Sequence, residues 1–431
     1  MSTIGLTVLG ILALSLAAGV WVAMTLLLVG VSALEIFRTL PVPRILAQSL
    51  FNNGTAPELL ALPLFILMAE ILFRTRMSEQ LLRGFSPWTW WLPGRLLHVN
   101  VLASAVFAAV CGSSAATTAT IGRITFAELD RRGYDRGAAI GSLAGAGTLG
   151  LLIPPSTVMI IYGVLSDTSI LKLFIGGIVP GVMLAALLMG VIVIWALLRP
   201  GIVPANEVAP GWAERLRALP ELLPPLVLIA SIMGSMYLGI ATPTEAAAVG
   251  VFAALALSAW YRSLSFSSLS TALMAAVRTS SMIGLIALAA AFVSVAMGYL
   301  GLPRWVAGNV AAWGLSKYEL IAVLVLLYLL LGCFLEGLAI IVLTLPVVLP
   351  LVQAAGFDKL WFGIFLIIMI ETAQISPPVG FNLFVLNGLT REPIGRIAVA
   401  AIPSLLALLT MAVLITAFPG LATWLPGTIG G

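Results

Sequence analysis

The chain has 431 residues, of which 61% are hydrophobic and 9% charged, and its mean hydropathy is +1.15. That composition lies far outside the range of soluble globular domains and of nucleic-acid-binding proteins. The formal net charge of +4 arises from 18 Arg and three Lys against 17 acids, so the placement of the basic residues matters more than their sum. Segments long enough to cross about 30 Å of hydrocarbon recur from end to end. The alternating ten-residue strands of a membrane β-barrel do not appear. The chain reads as an all-α, polytopic membrane protein.

The first apolar spans cover about residues 3–18 and 19–38, and a third covers about 45–74. No basic segment or cleavage site marks the N-terminus, which reads as the first helix and not as a signal peptide. The stretch "SPWTWWLPGRLLH" (86–98) sets Trp88, Trp90 and Trp91 beside an arginine, as in a helix lying along the membrane interface. His98, the only histidine, is expected at the surface near that boundary. Residues 96–128 are apolar but too interrupted to cross once, and read as a re-entrant helical hairpin. Its middle, "FAAVCGSSAATTATIG", is built of small residues and hydroxyls: Ser113, Ser114, Thr117, Thr118 and Thr120. Such a tip lets backbone and hydroxyl oxygens approach a hard cation, although small residues also serve tight helix packing. Span 135–165 follows, broken at Pro154-Pro155, and then span 170–198. The polar, proline-containing stretch "RPGIVPANEVAPGWAERLRALP" interrupts the chain as a linker.

Spans resume at about 221–238, 240–261 and 269–298. "GLPRWVAGNVAAWG" (301–314) mirrors the first interfacial helix, and about 318–350 reads as a second hairpin with Glu336-Gly337 at its tip. Span 355–388 is broken at Pro377-Pro378, and 393–417 is the last. An intramembrane carboxylate is functional by default, which draws notice to Glu336 and Glu371. Glu70 reads as a helix-end residue, and Glu245, just after Pro243-Thr244, reads equally well as a cap. Cys111 and Cys333, without CxxC or histidine partners, read as buried small residues.

The two halves share punctuation. Pro154 and Pro377 are each followed 26 residues later by Pro180 and Pro403. Cys111 precedes the first double proline by 43 residues and Cys333 the second by 44. Gly19 and Gly30 are 11 apart, as are Gly239 and Gly250. The repeats are therefore 1–200 and 221–431, joined by a cytoplasmic linker at 201–220. Five crossings per half is odd, so the second half is inverted. Arg74, Arg76, Arg83, Arg95, Arg123, Arg131, Arg132 and Arg136 flank the first hairpin, whereas 297–359 holds only Arg304, Lys317 and Lys359. By the positive-inside rule the first hairpin opens to the cytoplasm and the second to the outside, with both termini outside. Arg38 and Arg44 count against this scheme.

Irregular backbone at membrane depth survives only when buried in protein or lining a polar cavity. Proline removes an N–H and strips the carbonyl four residues back of its partner. Freed carbonyls attract a cation, and the N-terminus of the next half-helix attracts an anion. Paired broken helices in inverted repeats are the signature of secondary transporters. A simple proline kink is the alternative for either break alone.

Together "CGSSAATTATIG", "GTLGLLIPPS", "GIATPTEAAAVG", "GCFLEGLAIIVLTLPVVLPL" and "ETAQISPPVGFNLFVLNG" resemble the large membrane subunit (DctM-like) of tripartite ATP-independent periplasmic (TRAP) transporters. The resemblance runs from about 19 to 417. It implies a sodium-driven, elevator-type importer of small organic acids in the bacterial inner membrane. Its implied partners are a separate small membrane subunit and a periplasmic substrate-binding protein, with Na+ as coupling ion and no other cofactor. It places a first sodium site among Gly112, Ser113, Ser114, Gly147 and Thr148, and a second among Glu336, Gly337, Thr372, Gln374 and Ser376. Substrate would sit between the two tips, at Ser114, Thr117 and Asn382. Many relatives carry Asp where this chain has Glu336. A stand-alone sodium–anion symporter of related architecture is the competing reading. No HExxH motif or Ser-His constellation supports an enzyme.

Overall fold

Apolar residues crowd every face of the helix-forming stretches, and the resulting helices bury one another. The computed structural model describes residues 2–205, 209–312, 314–378 and 380–428, and every regular element among them is a helix. Residues 206–208 of the expected linker, Trp313 and Val379 lie outside the described residues.

The two opening helices, Ser2–Ala17 and Val22–Phe37, are 16 residues each, about 24 Å and short of a full crossing. The expected single span at 45–74 is instead a pair, Val42–Gly54 and Pro57–Leu72, bent by 58°. Asn52, Asn53 and Gly54 disfavour continuation, and Pro57 lacks the N–H that would bridge the bend. The helix expected along the interface is Met77–Thr89, so it begins and ends earlier than 86–98. Residues 90–96 are turns, with Gly94 and Arg95 both at positive φ. His98 is corrected too. It is fully buried, with Nε2 2.7 Å from the Pro93 carbonyl, because the turns fold it inward.

The first hairpin is Leu97–Cys111 and Ser114–Arg132. Its reversal needs a left-handed residue, and Gly112 supplies φ +59°. Ser113 then caps the second arm by accepting from the Ala116 N–H at 3.4 Å. The first broken helix is Arg136–Leu152 with Thr157–Ser166, bent by 42° at the prolines. Ile170–Leu198 runs unbroken through Pro180. The helix after the linker starts at Trp212, nine residues before the expected 221, and runs to Tyr237. Pro243–Trp260 begins with a capping box, Thr242 and Glu245 bonding each other's backbone N–H, so Glu245 is a cap. Phe266–Leu300 is a continuous 35-residue helix and Leu302–Ala312 a short one.

The second hairpin is Lys317–Gly332 and Gly337–Ala354, the second broken helix Lys359–Gln374 and Phe381–Thr390, and the last long helix Ile394–Ala417. A further helix, Gly420–Gly427, closes the described chain. Cys111 is buried as expected, but Cys333 is only half-buried, next to the exposed Phe334 at the second tip. Among the described residues, six helices are long and apolar enough to cross a membrane, or up to eight if each bent pair is one span. The protein is a multi-pass membrane protein. Of the ten expected crossings, the two opening helices and the second broken helix fall outside that length test.

The halves interlock. A methyl group added at Gly30 would stand 2.6 Å from Phe292 Cε1, so Val22–Phe37 of the first half lies close against Phe266–Leu300 of the second. One added at Gly250 would stand 2.6 Å from Met68 Sδ, so Pro243–Trp260 of the second half lies equally close against the first. The glycines matched by spacing thus occupy matching contacts.

The two broken helices run antiparallel. At one end Tyr162 Oη donates to the Lys359 carbonyl at 2.6 Å, and Lys359 Nζ donates to the Ser166 carbonyl at 3.1 Å. At the other, Arg136 Nη1 meets Glu392 Oε1 at 3.0 Å. The start of each broken helix therefore lies beside the end of the other, as inverted repeats require. The Arg136 end also gathers Arg95, whose Nη1 donates to Pro204 O at 3.1 Å, and Arg396, paired with Glu392 at 3.0 Å. Every residue of Ala138–Leu152 and of Leu360–Ser376 is buried. The first break is buried as well, at Pro154, Pro155 and Ser156, which shields its polar backbone from lipid, whereas Pro377 and Pro378 at the second are exposed.

Candidate functional site

The first hairpin tip is seated on the first break by close backbone approach. A methyl added at Gly150 would come within 2.6 Å of Ser114 Cα, and one at Gly147 within 1.8 Å of Thr118 Oγ1. Only glycine fits at either position. Thr157 Oγ1 donates to the Gly112 carbonyl at 2.9 Å, tying the tip to the far side of the same break.

Thr148 interrupts the first broken helix between Arg136–Gly147 and Leu149–Leu152. In a continuous helix the Leu151 N–H would donate to the Gly147 carbonyl. Here Leu151 N–H donates to Glu371 Oε1 at 2.8 Å, and the Gly147 carbonyl lies 3.0 Å from Ser114 Oγ. Ser114 Oγ is also 2.9 Å from Glu371 Oε2 and accepts from Asn382 Nδ2 at 2.7 Å. Ser114 and Glu371 together thus take the place of one backbone hydrogen bond. They join the first hairpin and the first break to both segments of the second broken helix. Ser114 is 2% exposed, and Glu371 and Asn382 are fully buried.

The second tip is arranged differently. A methyl at Gly337 would lie 2.6 Å from Ile370 Cγ2 and 3.0 Å from Gln374 Nε2, so this tip rests on the second broken helix. The Glu336 side chain is exposed, and its carboxylate accepts from the Leu338 N–H at 3.3 Å, capping its own helix. Thr372 Oγ1 and Ser376 Oγ donate to Ile368 O at 2.6 Å and Ala373 O at 2.9 Å within their own segment.

Of the residues expected around the first cation, Gly112, Ser113, Ser114 and Gly147 come together at the tip–break contact. Thr148 lies at the interruption with its hydroxyl donating to Gly145 O at 2.6 Å. Of the second set, Gly337 and Gln374 meet, Thr372 and Ser376 line the same segment, and the Glu336 carboxylate turns back on its own helix. Of the residues expected to touch substrate, Ser114 and Asn382 bond each other, while Thr117 donates to Ser113 O at 2.8 Å and is fully buried. The buried oxygens Asn382 Oδ1, Gln374 Oε1 and Ser156 Oγ have no hydrogen-bond partner. Unpartnered, buried, oxygen-rich positions next to broken helices are suited to a hard cation. Leu151, Ser156, Thr157 and Glu371 are absent from both expected cation sets. A carboxylate six residues before a double proline was the available signal for Glu371; backbone and hydroxyl contacts left none for the others.

Residues 9–421 match the family described as "Tripartite ATP-independent periplasmic transporter, DctM component". The chain is 34% identical over 388 residues to the C4-dicarboxylate TRAP transporter large permease protein DctM of Pseudomonas aeruginosa, covering 90% of each chain. It is 30% identical to the ectoine/5-hydroxyectoine large permease protein UehC of Ruegeria pomeroyi, covering 91% of each. It is 31% identical to the isethionate permease protein DctMQ of Oleidesulfovibrio alaskensis, over 95% of this chain and 64% of that one. Among solved structures, the Alcanivorax borkumensis YdaH transporter is similar in fold, with TM-score 0.60, 15% identity and 88% of each chain covered.

Proposed function

Since this chain belongs to the DctM-component family of tripartite ATP-independent periplasmic transporters, we propose that it is the large permease subunit of a sodium-coupled importer of small organic acids. The observation that carries this reading is the pair of hairpin tips resting on two antiparallel broken helices, with unpartnered oxygens beside them. Half-helix ends and freed carbonyls are the groups that secondary transporters use to hold a coupling ion and an anion together. Ser114, Gly112, Gly147 and Thr148 would hold one Na+ through hydroxyl and carbonyl oxygens. Gly337, Thr372, Gln374 and Ser376 would hold another. Asn382 and Ser114 would meet substrate once the tip lifts. The tips and breaks would travel as one body against the interlocked helices around Gly30 and Gly250, an elevator-type motion. The relatives named for C4-dicarboxylate and isethionate permeases support an organic acid as cargo, while the ectoine relative shows that membership alone does not fix it. The partners would be a small membrane subunit and a periplasmic binding protein in the bacterial inner membrane, with the Arg136–Glu392 end facing the cytoplasm.

Uptake of candidate acids into proteoliposomes tests this, first with the chain alone and then with each partner added, with and without a sodium gradient. Uptake that requires both partners and sodium is expected. Full uptake by the chain alone would make it a stand-alone symporter, and uptake indifferent to sodium would refute the coupling.

A further inference from the structure

Ile170–Leu198 and Ile394–Ala417 both pack on the start of the first broken helix. A methyl added at Gly141 would touch Trp195 and Ala400, and one at Gly145 would touch Leu188 and Ser404. Higher numbers on one helix thus meet lower numbers on the other, so the pair is antiparallel and the end of the first lies beside the start of the second. Between them runs an open groove of about 670 Å³ that no charged residue lines. One wall carries Met183, Gly190, Ile194 and Leu198, the other Pro403 and Thr410. The Thr410 hydroxyl is spent on the Leu406 carbonyl at 2.7 Å, so the groove is apolar throughout. A methyl added at Gly190 would meet nothing within 4 Å, so this glycine leaves the groove open. Met183 to Leu198 spans about 22 Å of helix. The cross-section is then about 30 Å², against roughly 80 Å² for a helix about 10 Å across. A hydrocarbon chain fits that width and a helix does not.

Charge gathers at one end of this groove. Arg199 directly follows Leu198, exposed and without a side-chain partner among the described residues. On the other wall Arg396, Pro403 and Thr410 recur every seven residues, close to two helical turns, so they share a face that Arg396 heads. Arg396 is 62% exposed. Ile394–Ala417 starts there with no side-chain cap, so its first N–H groups and its dipole add positive charge. The acids at this end are Glu392, 3.0 Å from both Arg136 and Arg396, and Asp130, 3.0 Å from Arg136. Arg136, Arg199, Arg391 and Arg396 outnumber them.

We propose that this groove binds an anionic phospholipid, with one hydrocarbon chain between Met183 and Leu198 and the phosphate held by Arg199 and Arg396. Guanidinium groups suit phosphate oxygens, which accept two parallel hydrogen bonds from each. Anionic lipids concentrate in the cytoplasmic leaflet, the side on which the proposed orientation puts the Arg136–Glu392 end. Because both walls pack on Gly141 and Gly145, the lipid is seated against the helix that carries the first break.

Native mass spectrometry of the purified, delipidated full chain tests this, with phosphatidylglycerol and phosphatidylcholine of the same chain length offered in equal amounts. The wild type should retain phosphatidylglycerol about tenfold over phosphatidylcholine. Arg199→Gln with Arg396→Gln should erase that preference, and Arg199→Gln alone, at an exposed and unpartnered position, should remove part of it with the thermal midpoint unchanged. Gly190→Phe, which sets a ring in the groove where nothing obstructs it, should lower retention of phosphatidylglycerol with both arginines in place. Glycerol phosphate, the headgroup without its chains, should not compete. Equal retention of the two lipids by the wild type, or a preference unmoved by the arginine variants, would overturn the proposal. So would retention unmoved by Gly190→Phe, and displacement by glycerol phosphate would reduce the site to one for a free anion. These readouts need neither substrate nor sodium, so they stand or fall apart from the transport reading.

Discussion

Replacing Gly147 with alanine should push the first tip off the first break. The new Cβ would stand 1.8 Å from Thr118 Oγ1, 3.0 Å from Thr118 Cβ and 3.4 Å from Thr118 Cα. Ordinary contact begins near 3.4 Å, so Oγ1 has to swing away by about 1.6 Å. That breaks its 2.9 Å bond to the Ser114 carbonyl, a loss of about 1 kcal/mol. The residual crowding at Cβ adds about 1–3 kcal/mol. Alanine returns about 1 kcal/mol of helix propensity, leaving a net destabilisation of about 1–3 kcal/mol. At about 2.1 cal/mol/K of unfolding entropy per residue, 431 residues convert each kcal/mol into roughly 1 °C. The thermal midpoint of Gly147→Ala in detergent should therefore fall by about 1–3 °C, and Cys111 should label faster. Adding Thr118→Ala removes the atom in the way, so the double variant should recover most of the loss. A Gly147→Ala midpoint at or above wild type, or a double variant no more stable than the single one, would refute the contact.

Gly250→Leu should disrupt the interlock of the two halves, since its first side-chain carbon already meets Met68 Sδ at 2.6 Å; overpacking of about 1–3 kcal/mol should show as a lower thermal midpoint, partly restored by Met68→Ala. Single cysteines replacing the exposed Arg131 and Gln353, in a chain lacking Cys111 and Cys333, should react from opposite sides of the membrane; reaction of both from one side would defeat the antiparallel arrangement. Uptake should rise sigmoidally with sodium, with a Hill coefficient above one. A tenfold gradient gives about 1.4 kcal/mol per ion, while thousandfold accumulation needs about 4.1, so one ion cannot drive it with a monoanion. Two ions add about 2.8 from gradients and 2.3 from 100 mV across the membrane, and a hyperbolic sodium curve insensitive to voltage would exclude the pair.

The breaks and the tips were legible because each rests on residues whose chemistry is local. Pro154-Pro155 and Pro377-Pro378 each follow the end of a helical segment, whereas Pro224-Pro225 lie within Trp212–Tyr237, and Gly112-Ser113 reverses a hairpin through one left-handed residue and one cap. Elements set by tertiary contact were not legible. The bend at residues 54–57 carries a local signal in Asn52-Asn53-Gly54 and Pro57-Glu58, but the apolar residues on both sides read as one long span. The helix at Trp212 begins inside a polar stretch because its first turns rest on the interfacial helix rather than in lipid, with Trp88 and Trp212 in edge-to-face contact. His98 looked like a surface residue because its burial depends on how residues 90–96 turn. Glu371 was visible as a carboxylate in an apolar segment, but its partners lie 220 and 257 residues away.

The two tips are equivalent in chain order and unequal in structure, and the inequality has a direction. The first is held from both halves, by Gly147 and Leu151 of its own and by Glu371 and Asn382 of the other, and Ser114 is almost wholly enclosed. The second rests on its own broken helix through Gly337, where an added methyl would also lie 3.6 Å from Leu151 Cδ1 of the first half, its second arm packs against Thr157–Ser166, and Glu336 is left exposed. Part of this difference is written in the residues. Ser114 has no hydroxyl counterpart at Gly337, and Thr148, six residues before Pro154 as Glu371 is before Pro377, bonds Gly145 O of its own helix instead of reaching across. Lifting the first tip therefore breaks hydrogen bonds to both halves at once, whereas the nearest neighbours of the second tip at Gly337 are Ile370 and Gln374 of its own half. The Ser114–Glu371–Asn382 cluster is thus the point at which the first hairpin, the first break and both segments of the second broken helix are joined.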